Sequence, residues 1–521
     1  MEVNANAAEK ETHDGQDLSV RASQLSGNVG TSELIGNVVD PALAAKTRLL
    51  NEAIDEIGWT TFHLKLSCLS GFGYAVDSLI AFVQSVAAGQ AYLEVGNGGF
   101  RTGSTMGLYA GLLVGALFWG FFADGIGRRT AFNTTLFLAS AACMIAGAAP
   151  NWIFYSSFVA ILGFGAGGNL VLDPTVMLEF VPSSQQWVIT AMAGWWGMGQ
   201  AAAGAIAWGF YSRSEWSCDG TDCTWQNNKA WRLIMFTGGA LVLVMSLLRV
   251  FVVELPETPK YLVATGQDEK LVSTLQKIAT KYNRPCSLTL DALQACGQVQ
   301  QVEKASHLSR GQRTVSSLVH QVRGLFATKK LALSTAMIWV SWMGIGLGYP
   351  LFFIYLPALL ADRVPGYTPT FTETWRDYTV TNICAIFGPL IAAAMVEVKW
   401  LGRRYTMSIG ATLTAILFFG YTAIKTPPQN LALSCSISVA INLYYGTLYA
   451  YTVETFPSAH RGTGNGIAVA LNRVMGLLSA VISVTAGTKS ATPLYISAGL
   501  FLLLAAISAV LPFEPRGNGA A

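Results

Sequence analysis

Hydrophobic residues run along this chain in long blocks, with polar stretches between them. Twelve nearly uncharged blocks are each about 20 residues long or more, which is the length a helix needs to cross the hydrocarbon core of a bilayer. We expect them at 63–89, 104–123, 131–149, 152–178, 187–210, 231–253, 332–360, 377–396, 406–424, 430–454, 463–486 and 491–512. The pattern therefore predicts an all-α membrane protein with twelve transmembrane helices.

Composition supports a membrane environment and excludes several functions. Hydrophobic residues occupy 52% of the 521 positions and charged residues only 12%, against roughly 25% charged in soluble domains. A net charge of +3 gives no bulk attraction to nucleic acid. The eight cysteines form no CxxC pair or Cys/His cluster, and no GxxxxGK(S/T) loop is present. We therefore expect no enzyme activity, no metal, no cofactor and no ATP-driven step.

The polar stretches divide the chain into two similar halves. In the central linker, Leu271, Leu275 and Ile278 recur at helical spacing, which predicts short amphipathic helices beneath the bundle. The expected organisation is a polar and largely disordered cytosolic tail at 1–61, a six-helix bundle at 62–253, the linker at 254–331, a second six-helix bundle at 332–513, and a short tail at 514–521.

The two halves also repeat in sequence, because 275 positions separate several matching residues. At this offset Gly127-Arg128-Arg129 matches Gly402-Arg403-Arg404, Glu179 matches Glu454, and Gly73-Tyr74 matches Gly348-Tyr349. Parallel six-helix repeats build several secondary transporters, which bind their solute near the midplane between the halves. The repeat therefore predicts one shared central site.

An even number of crossings places both termini and the linker on one side of the membrane. Lys and Arg near the span ends are more numerous on that side, which favours a cytosolic location. We expect a multi-pass protein of the plasma membrane with both termini in the cytosol. The sequence leaves the oligomeric state open, with a monomer as the expectation.

Three motifs lie at predicted helix ends. They are Gly120-Phe-Phe-Ala-Asp124-Gly-Ile-Gly127-Arg128-Arg129, Pro256-Glu-Thr-Pro-Lys-Tyr-Leu262, and Glu454-Thr-Phe-Pro457 with Arg461-Gly-Thr-Gly464. The first resembles the GxxxD(R/K)xGRR loop of the major facilitator superfamily, with Gly125 where the family usually has a basic residue. The other two resemble motifs of its sugar-porter branch. Gly167-Gly-Asn169-Leu170 with Asp173 and Glu179 resembles the synaptic-vesicle-transporter-like members, common in fungi. The resemblance implies a transporter of small solutes and leaves the solute open.

Charged residues at the predicted cytosolic helix ends are candidates for a gate. Arginine side chains can clamp carboxylates and helix ends there, which would close the pore on the cytosolic side. The alternative is that these arginines only anchor helices at the lipid headgroups. The candidates are Asp124, Arg128, Arg129, Asp173, Glu179, Arg403, Arg404, Glu454 and Arg461. Lys399 stands at the repeat position of Asp124, so the two loops are not equivalent.

Two charges are predicted near the midplane, where ionised side chains are rare and usually functional. Asp77 lies about 14 residues into the first block, which is midway across at 1.5 Å per residue. We predict that it loads and releases a proton during transport. The alternative is a permanent ion pair with Arg473 in the eleventh block. If Arg473 is not tied to Asp77, it favours an anionic solute, because it keeps its charge.

Amide and aromatic side chains within the blocks are candidates for the solute pocket, since such pockets combine aromatic walls with a few placed polar groups. Together with Arg473, the candidates are Tyr74, Gln84, Asn169, Trp195, Trp196, Gln200, Trp342, Tyr349, Asn382, Asn442 and Tyr445. The alternative for each is packing or a hydrogen bond between helices. Cys218 and Cys223 share a loop on the predicted exterior, where a disulfide is permitted.

These features predict a secondary active transporter. It would move a small polar organic solute, which is a sugar, a polyol or a carboxylate, together with protons by rocking of the two halves. Two alternatives stay open: an exporter that exchanges protons for a metabolite, and a non-transporting receptor or scaffold on the same fold. The midplane acid and arginine favour transport, because a scaffold has no need to bury them.

Overall fold

The fold is known from a computed structural model that describes residues 41–96, 99–218, 222–251, 256–298, 319, 321–363, 369–457, 460–485 and 492–515. These residues are almost entirely helical, and no strand occurs among them. The helices join into twelve rods, as the hydrophobic blocks predict. Nine rods are long and apolar enough to span a membrane on length and composition alone, counting only the described residues.

The first half contains six rods, two of which are interrupted helices. The rods are α2 (Thr61–Val95), α3 (Gly103–Ile126), α4 (Arg128–Gly147), α5 (Trp152–Gly167) with α6 (Asn169–Phe180), α7 (Trp187–Met192) with α8 (Gly194–Tyr211), and α9 (Ala230–Phe251). Pro174 lies inside α6, where it removes one backbone hydrogen bond. The fourth rod therefore has an irregular backbone close to the centre of the bundle.

The second half repeats this order of six rods. They are α13 (Lys329–Arg363), α14 (Phe371–Ala385) with α15 (Phe387–Val396), α16 (Gly402–Tyr421), α17 (Pro427–Thr455), α18 (Arg461–Thr485) and α19 (Thr492–Ala509). The eighth rod begins at Phe371, earlier than the predicted residue 377. Thr370 and Glu373 form a capping box there, so polar residues before the apolar block are helical as well.

Four short helices cover one face of the bundle, named here the linker face. They are α1 (Pro41–Ile57), α10 (Pro259–Ala264), α11 (Asp268–Lys281) and α12 (Leu290–Ala295). Leu271 and Leu275 of α11 are buried against Leu50 and Ile54 of α1, so the predicted amphipathic helix is present. Helix α1 was not expected within the polar tail, of which residues 1–40 lie outside the described part. It forms because its apolar side packs on the linker.

The two halves contact each other on both sides of the centre. On the linker face, Leu178 and Ile189 of the first half pack against Ala450 and Val453 of the second. Toward the opposite face, the ring of Phe82 stacks on that of Tyr378 with centroids 3.8 Å apart. The centre of the bundle is therefore enclosed between two layers of contact.

Candidate functional site

Asp77 of α2 and Arg473 of α18 meet at the boundary between the halves. Arg473 Nη2 donates to Asp77 Oδ1 at 2.7 Å, and the side chains are 13% and 9% exposed for Arg473 and Asp77. Neither has a charged repeat counterpart, since Phe352 and Met198 occupy those positions. The ion pair that the sequence allowed is therefore formed, and proton coupling by Asp77 stays a prediction.

Aromatic rings from both halves lie beside this pair. Trp196 of α8 contacts Tyr445 and Tyr449 of α17, with ring centroids 4.7 and 4.6 Å apart. Tyr449 also contacts Trp342 of α13 at 4.3 Å, and Tyr74 of α2 contacts Trp196 at 5.4 Å. Both Tyr445 and Tyr449 interact electrostatically with the ion pair. These five rings form an aromatic wall that joins the halves next to the charges.

Several polar groups are embedded in this region. Asn472 donates its amide to the hydroxyl of Tyr445 at 3.2 Å, and Tyr349 interacts with Gln200 across the halves. Asn169 is fully buried, yet neither atom of its amide bonds to a described residue. The hydroxyl of Tyr74 and Nε1 of Trp196 are also buried without a hydrogen bond to a described residue. Buried polar groups usually have partners, so these atoms are suited to bind a solute.

Other predicted pocket residues make contacts within one half or within one helix. Trp195 packs over Phe72 of α2 with centroids 5.6 Å apart. The amides donate locally, from Gln84 to Ser104 at 3.1 Å, from Asn382 to the backbone of Tyr378 at 2.8 Å, and from Asn442 to the backbone of Ser438 at 2.8 Å. These contacts are of the kind that holds helices together, and a role of these residues toward the solute stays a prediction.

A second buried ion pair lies inside the first half. Arg249 of α9 is 3.1 Å from Asp173 of α6, and both side chains are fully buried. The same guanidinium donates to the backbone oxygens of Leu69 at 2.9 Å and Phe132 at 2.8 Å, and it lies over the Phe132 ring. Arg249 therefore ties α2, α4, α6 and α9 together. Asp173, a predicted gate residue, has its partner within its own half.

Sequence reasoning did not single out Arg249, although a signal for it was present. Arg249 lies inside the sixth hydrophobic block, close to the end that shares a membrane side with the end of the fourth block. Asp173 lies near that end of the fourth block. An arginine and an aspartate at matching depth are a candidate pair wherever both are buried. Periodicity alone does not say that their two helices are neighbours.

The remaining gate candidates lie at the linker face. Arg403 of α16 donates from Nη2 to Glu454 Oε1 at 2.6 Å, and both side chains are buried. Arg461 is fully buried and interacts electrostatically with Glu454, and Arg404 donates to the backbone oxygen of Ala509. Glu179, at the repeat position of Glu454, is fully buried. The side chains of Asp124 and Arg128 lie outside the described part, and gating by this set stays a prediction.

A glutamate caps the third rod of each half. Glu257 Oε1 accepts the backbone N–H of Arg129 at 3.3 Å, whereas Glu514 accepts those of Arg403 and Arg404 at 2.9 and 3.2 Å. The first N–H groups of a helix lack partners within it, and its dipole favours an acid there. Glu514, which the sequence analysis places in the short tail, thus gives α16 the same kind of cap that Glu257 gives α4.

The loop before α9 contains a disulfide between Cys218 and Cys223. Cys218 is buried at the face of the bundle opposite the linker face. Disulfides persist in oxidising surroundings, and the exterior location of this loop stays a prediction.

Comparison with known proteins fits this geometry. A family model described as Major Facilitator Superfamily matches residues 70–480. The Major facilitator-type transporter hxnZ of Emericella nidulans is 35% identical over 503 residues, covering 94% of this chain and 90% of that protein. MFS siderochrome iron transporter 1 of Ceriporiopsis subvermispora is 36% identical over 487 residues, covering 92% of each.

More distant comparisons agree. Synaptic vesicle 2-related protein of Rattus norvegicus is 23% identical and covers 97% of this chain and 87% of its own length. The structure of the proton:xylose symporter XylE superposes with a TM-score of 0.65 at 16% identity, covering 88% of this chain and 98% of that one, which supports the fold. The chain therefore belongs to the Major Facilitator Superfamily and is a multi-pass membrane transporter of small-molecule solutes rather than an enzyme.

Proposed function

We propose that this transporter moves a small organic carboxylate together with a proton, and that Asp77 carries the proton. The observation that supports this proposal is the 2.7 Å bond between Asp77 and Arg473, which crosses from one half to the other. A proton on Asp77 removes the negative charge that holds Arg473. Arg473 keeps its own charge and then binds the carboxylate of the solute.

The aromatic wall and the nearby amide supply the rest of the pocket. The rings of Trp196, Tyr445 and Tyr449 offer flat apolar surface to the body of the solute. The amide of Asn169 and the hydroxyl of Tyr74, which bond to no described residue, offer hydrogen bonds to its polar groups. These groups also suit a neutral sugar or polyol, and XylE, which shares the fold, is by its title a proton:xylose symporter. A sugar or polyol is therefore the second candidate.

In this proposal the ion pair couples solute binding to the motion of the halves. While Asp77 and Arg473 are bonded, they hold α2 and α18 together. Protonation and solute binding replace that bond with contacts to the solute, so the halves rock and the pocket opens to the other side. We place the protein in the plasma membrane with the linker face toward the cytosol, as the distribution of Lys and Arg favours.

Uptake into liposomes tests the proposal with a panel of carboxylates, sugars and polyols, with and without an imposed pH gradient. We expect wild-type protein to take up a carboxylate faster when protons flow in the same direction. Arg473→Leu should reduce this uptake at least about tenfold, because a buried carboxylate without its cation loses more than one factor of ten in affinity. Arg48→Leu, which removes an exposed arginine of α1, is the matched control and should transport normally.

The other outcomes of this experiment are equally informative. Movement of neutral solutes alone would reject the carboxylate and favour the sugar or polyol. An opposite dependence on the gradient would favour the proton-exchanging exporter. A correctly inserted protein that moves nothing in the panel, yet binds a solute, would favour a receptor.

A further inference from the structure

Asn465 of α18 makes hydrogen bonds from the second half to the first, between the central ion pair and the linker face. Its Nδ2 donates to the backbone oxygen of Leu170 at 3.2 Å and to that of Val171 at 3.4 Å, both in α6. Asn465 and Leu170 are fully buried. Asn465 lies about two helical turns from Arg473 on the same helix. It was in none of the candidate sets drawn from sequence.

The acceptor on α6 is available because of Pro174. In a regular helix the carbonyl of Leu170 accepts the N–H of the residue four positions later, and that residue is Pro174, which has no N–H. A buried carbonyl without a partner is costly, so its bond must come from elsewhere. Asn465 supplies the missing donor from the other half. Pro174 therefore creates an acceptor to which the other half donates while the halves are together.

The backbones of the two halves approach closely at this level. A Cβ added to Gly120 of α3 would lie 3.0 Å from Cα of Gly466 and 3.2 Å from the backbone oxygen of Gly462, both in α18. Side chains at these glycines would keep the helices apart. Their absence brings α18 near enough for the short side chain of Asn465 to reach the α6 backbone.

The repeat offers an equivalent contact that lacks this bond. At the offset of 275 residues, Asn465 corresponds to Thr190 and Leu170 to Tyr445, while Pro174 corresponds to Tyr449. The contact exists, since the backbone oxygen of Thr190 lies 3.3 Å from a Cβ added to Gly446. However, the Thr190 hydroxyl bonds to no described residue, and Tyr449 has an N–H for its own helix. Only one of the two contacts is held by a side-chain hydrogen bond.

We propose that Asn465 is the latch of the transport cycle. Its bonds to the α6 backbone stabilise the state in which the linker face is closed, and they break when that face opens. When it opens, water can satisfy the Leu170 carbonyl, so the latch is strong enough to favour closure and weak enough to release. The proposal rests on alternating access of the halves and is independent of the identity of the solute and of proton coupling.

Cysteine labelling measures the opening directly. The reporter is Val453→Cys, because Val453 is fully buried against Leu178 and Ile189 of the other half. The free cysteines (Cys68, Cys143, Cys286, Cys296, Cys384 and Cys435) are replaced, and the disulfide is kept. In purified protein in lipid nanodiscs, Asn465→Ala should raise the rate of maleimide labelling about fivefold, as expected for loss of one net hydrogen bond. The matched control Thr190→Val should leave the rate unchanged.

A second substitution tests the acceptor. Pro174→Ala restores an N–H to the Leu170 carbonyl within α6, so in the Asn465→Ala background it should return the labelling rate toward that of the reporter protein. A purely structural role for Asn465 predicts no such rescue. The proposal is overturned if Asn465→Ala labels like the reporter protein, if Thr190→Val labels as fast, or if Pro174→Ala fails to rescue.

Two further features keep the test decisive. If Asn465→Ala does not purify as a folded protein, Asn465→Ser replaces it, because a serine hydroxyl is too short to reach the α6 backbone. The labelling uses neither solute nor pH gradient. A failed uptake experiment therefore rejects the proposed solute or coupling and leaves the latch standing, and the reverse also holds.

Discussion

Two buried carboxylate–arginine pairs in this transporter look alike in sequence and differ in structure. Asp173 and Arg249 lie within the first half and are fully buried. The guanidinium of Arg249 also donates to two backbone oxygens. Asp77 and Arg473 lie between the halves, are slightly exposed, and are joined by one hydrogen bond. The first pair holds helices of one half together. In the proposed cycle, the second is the ion pair that breaks when the halves move.

The other ion pairs support this distinction. Arg403 and Glu454 lie within the second half, and Glu94 and Arg232 lie within the first. Asp77 and Arg473, in contrast, join one half to the other. Ion pairs that close inside a half stiffen it, because breaking one leaves an uncompensated buried charge. Alternating access needs two stiff halves and a contact between them that protonation or solute binding can break.

The largest effect is expected from Arg249→Leu. It leaves the carboxylate of Asp173 buried without its cation and two backbone oxygens without their donor, so we expect a loss of about 3–5 kcal/mol in stability. Thermal unfolding followed by size-exclusion chromatography measures it. The double variant Asp173→Leu/Arg249→Leu should recover much of the loss, since it removes both charges. If Arg249→Leu alone is as stable as wild type, the ion pair does not stabilise the first half.

A smaller effect on stability and a large one on coupling are expected from Asp77→Asn. The variant should lose less stability than Arg249→Leu, because the amide oxygen of asparagine can still accept a hydrogen bond from Arg473. Its uptake should no longer respond to an imposed pH gradient, because asparagine does not titrate. Uptake into liposomes at several external pH values checks this. A gradient dependence that survives the substitution would remove Asp77 from the coupling mechanism.

Arg473→Lys should have a moderate effect on solute affinity. Lysine keeps the positive charge but lacks the planar fork that holds a carboxylate with two parallel bonds. We expect the KM for the carboxylate to rise about tenfold with a smaller change in kcat. Concentration series of uptake measure both. An unchanged KM would show that the guanidinium does not bind the solute.

The smallest effect is expected from Glu52→Gln in α1. Glu52 and Arg48 form a pair at 3.2 Å in which both side chains are about half exposed. Exposed pairs of this spacing contribute about 0.5 kcal/mol or less. In the same thermal unfolding assay, Glu52→Gln should therefore show the smallest loss of stability. A loss as large as that of Arg249→Leu would show that burial does not explain why some ion pairs contribute more to stability than others.

Much of the site followed from patterns in the sequence. Asp77 and Arg473 stood out because charges are rare in apolar blocks, and their depth along two helices allowed them to pair. Gly402-Arg403-Arg404 and Glu454 stood out because they repeat the first half. Arg249 was missed because its place in an apolar block does not say which helix is its neighbour, and Asn465 and Glu514 because nothing about them is unusual in one dimension. Their roles depend on the neighbours that packing provides, which are Asp173, the carbonyl of Leu170 and the start of α16.

The sequence alone determined the solvent, the number of crossings and the twofold construction of the chain, because lipid admits only long apolar helices and duplication leaves matching motifs at a constant offset. The tertiary structure decided which charges meet. An ion pair or a hydrogen bond depends on distances of a few ångströms between helices that are far apart in the chain, and no periodicity along one helix encodes that distance. The same physics makes α18 informative, since Arg473 and Asn465 reach the other half only once the helices have packed.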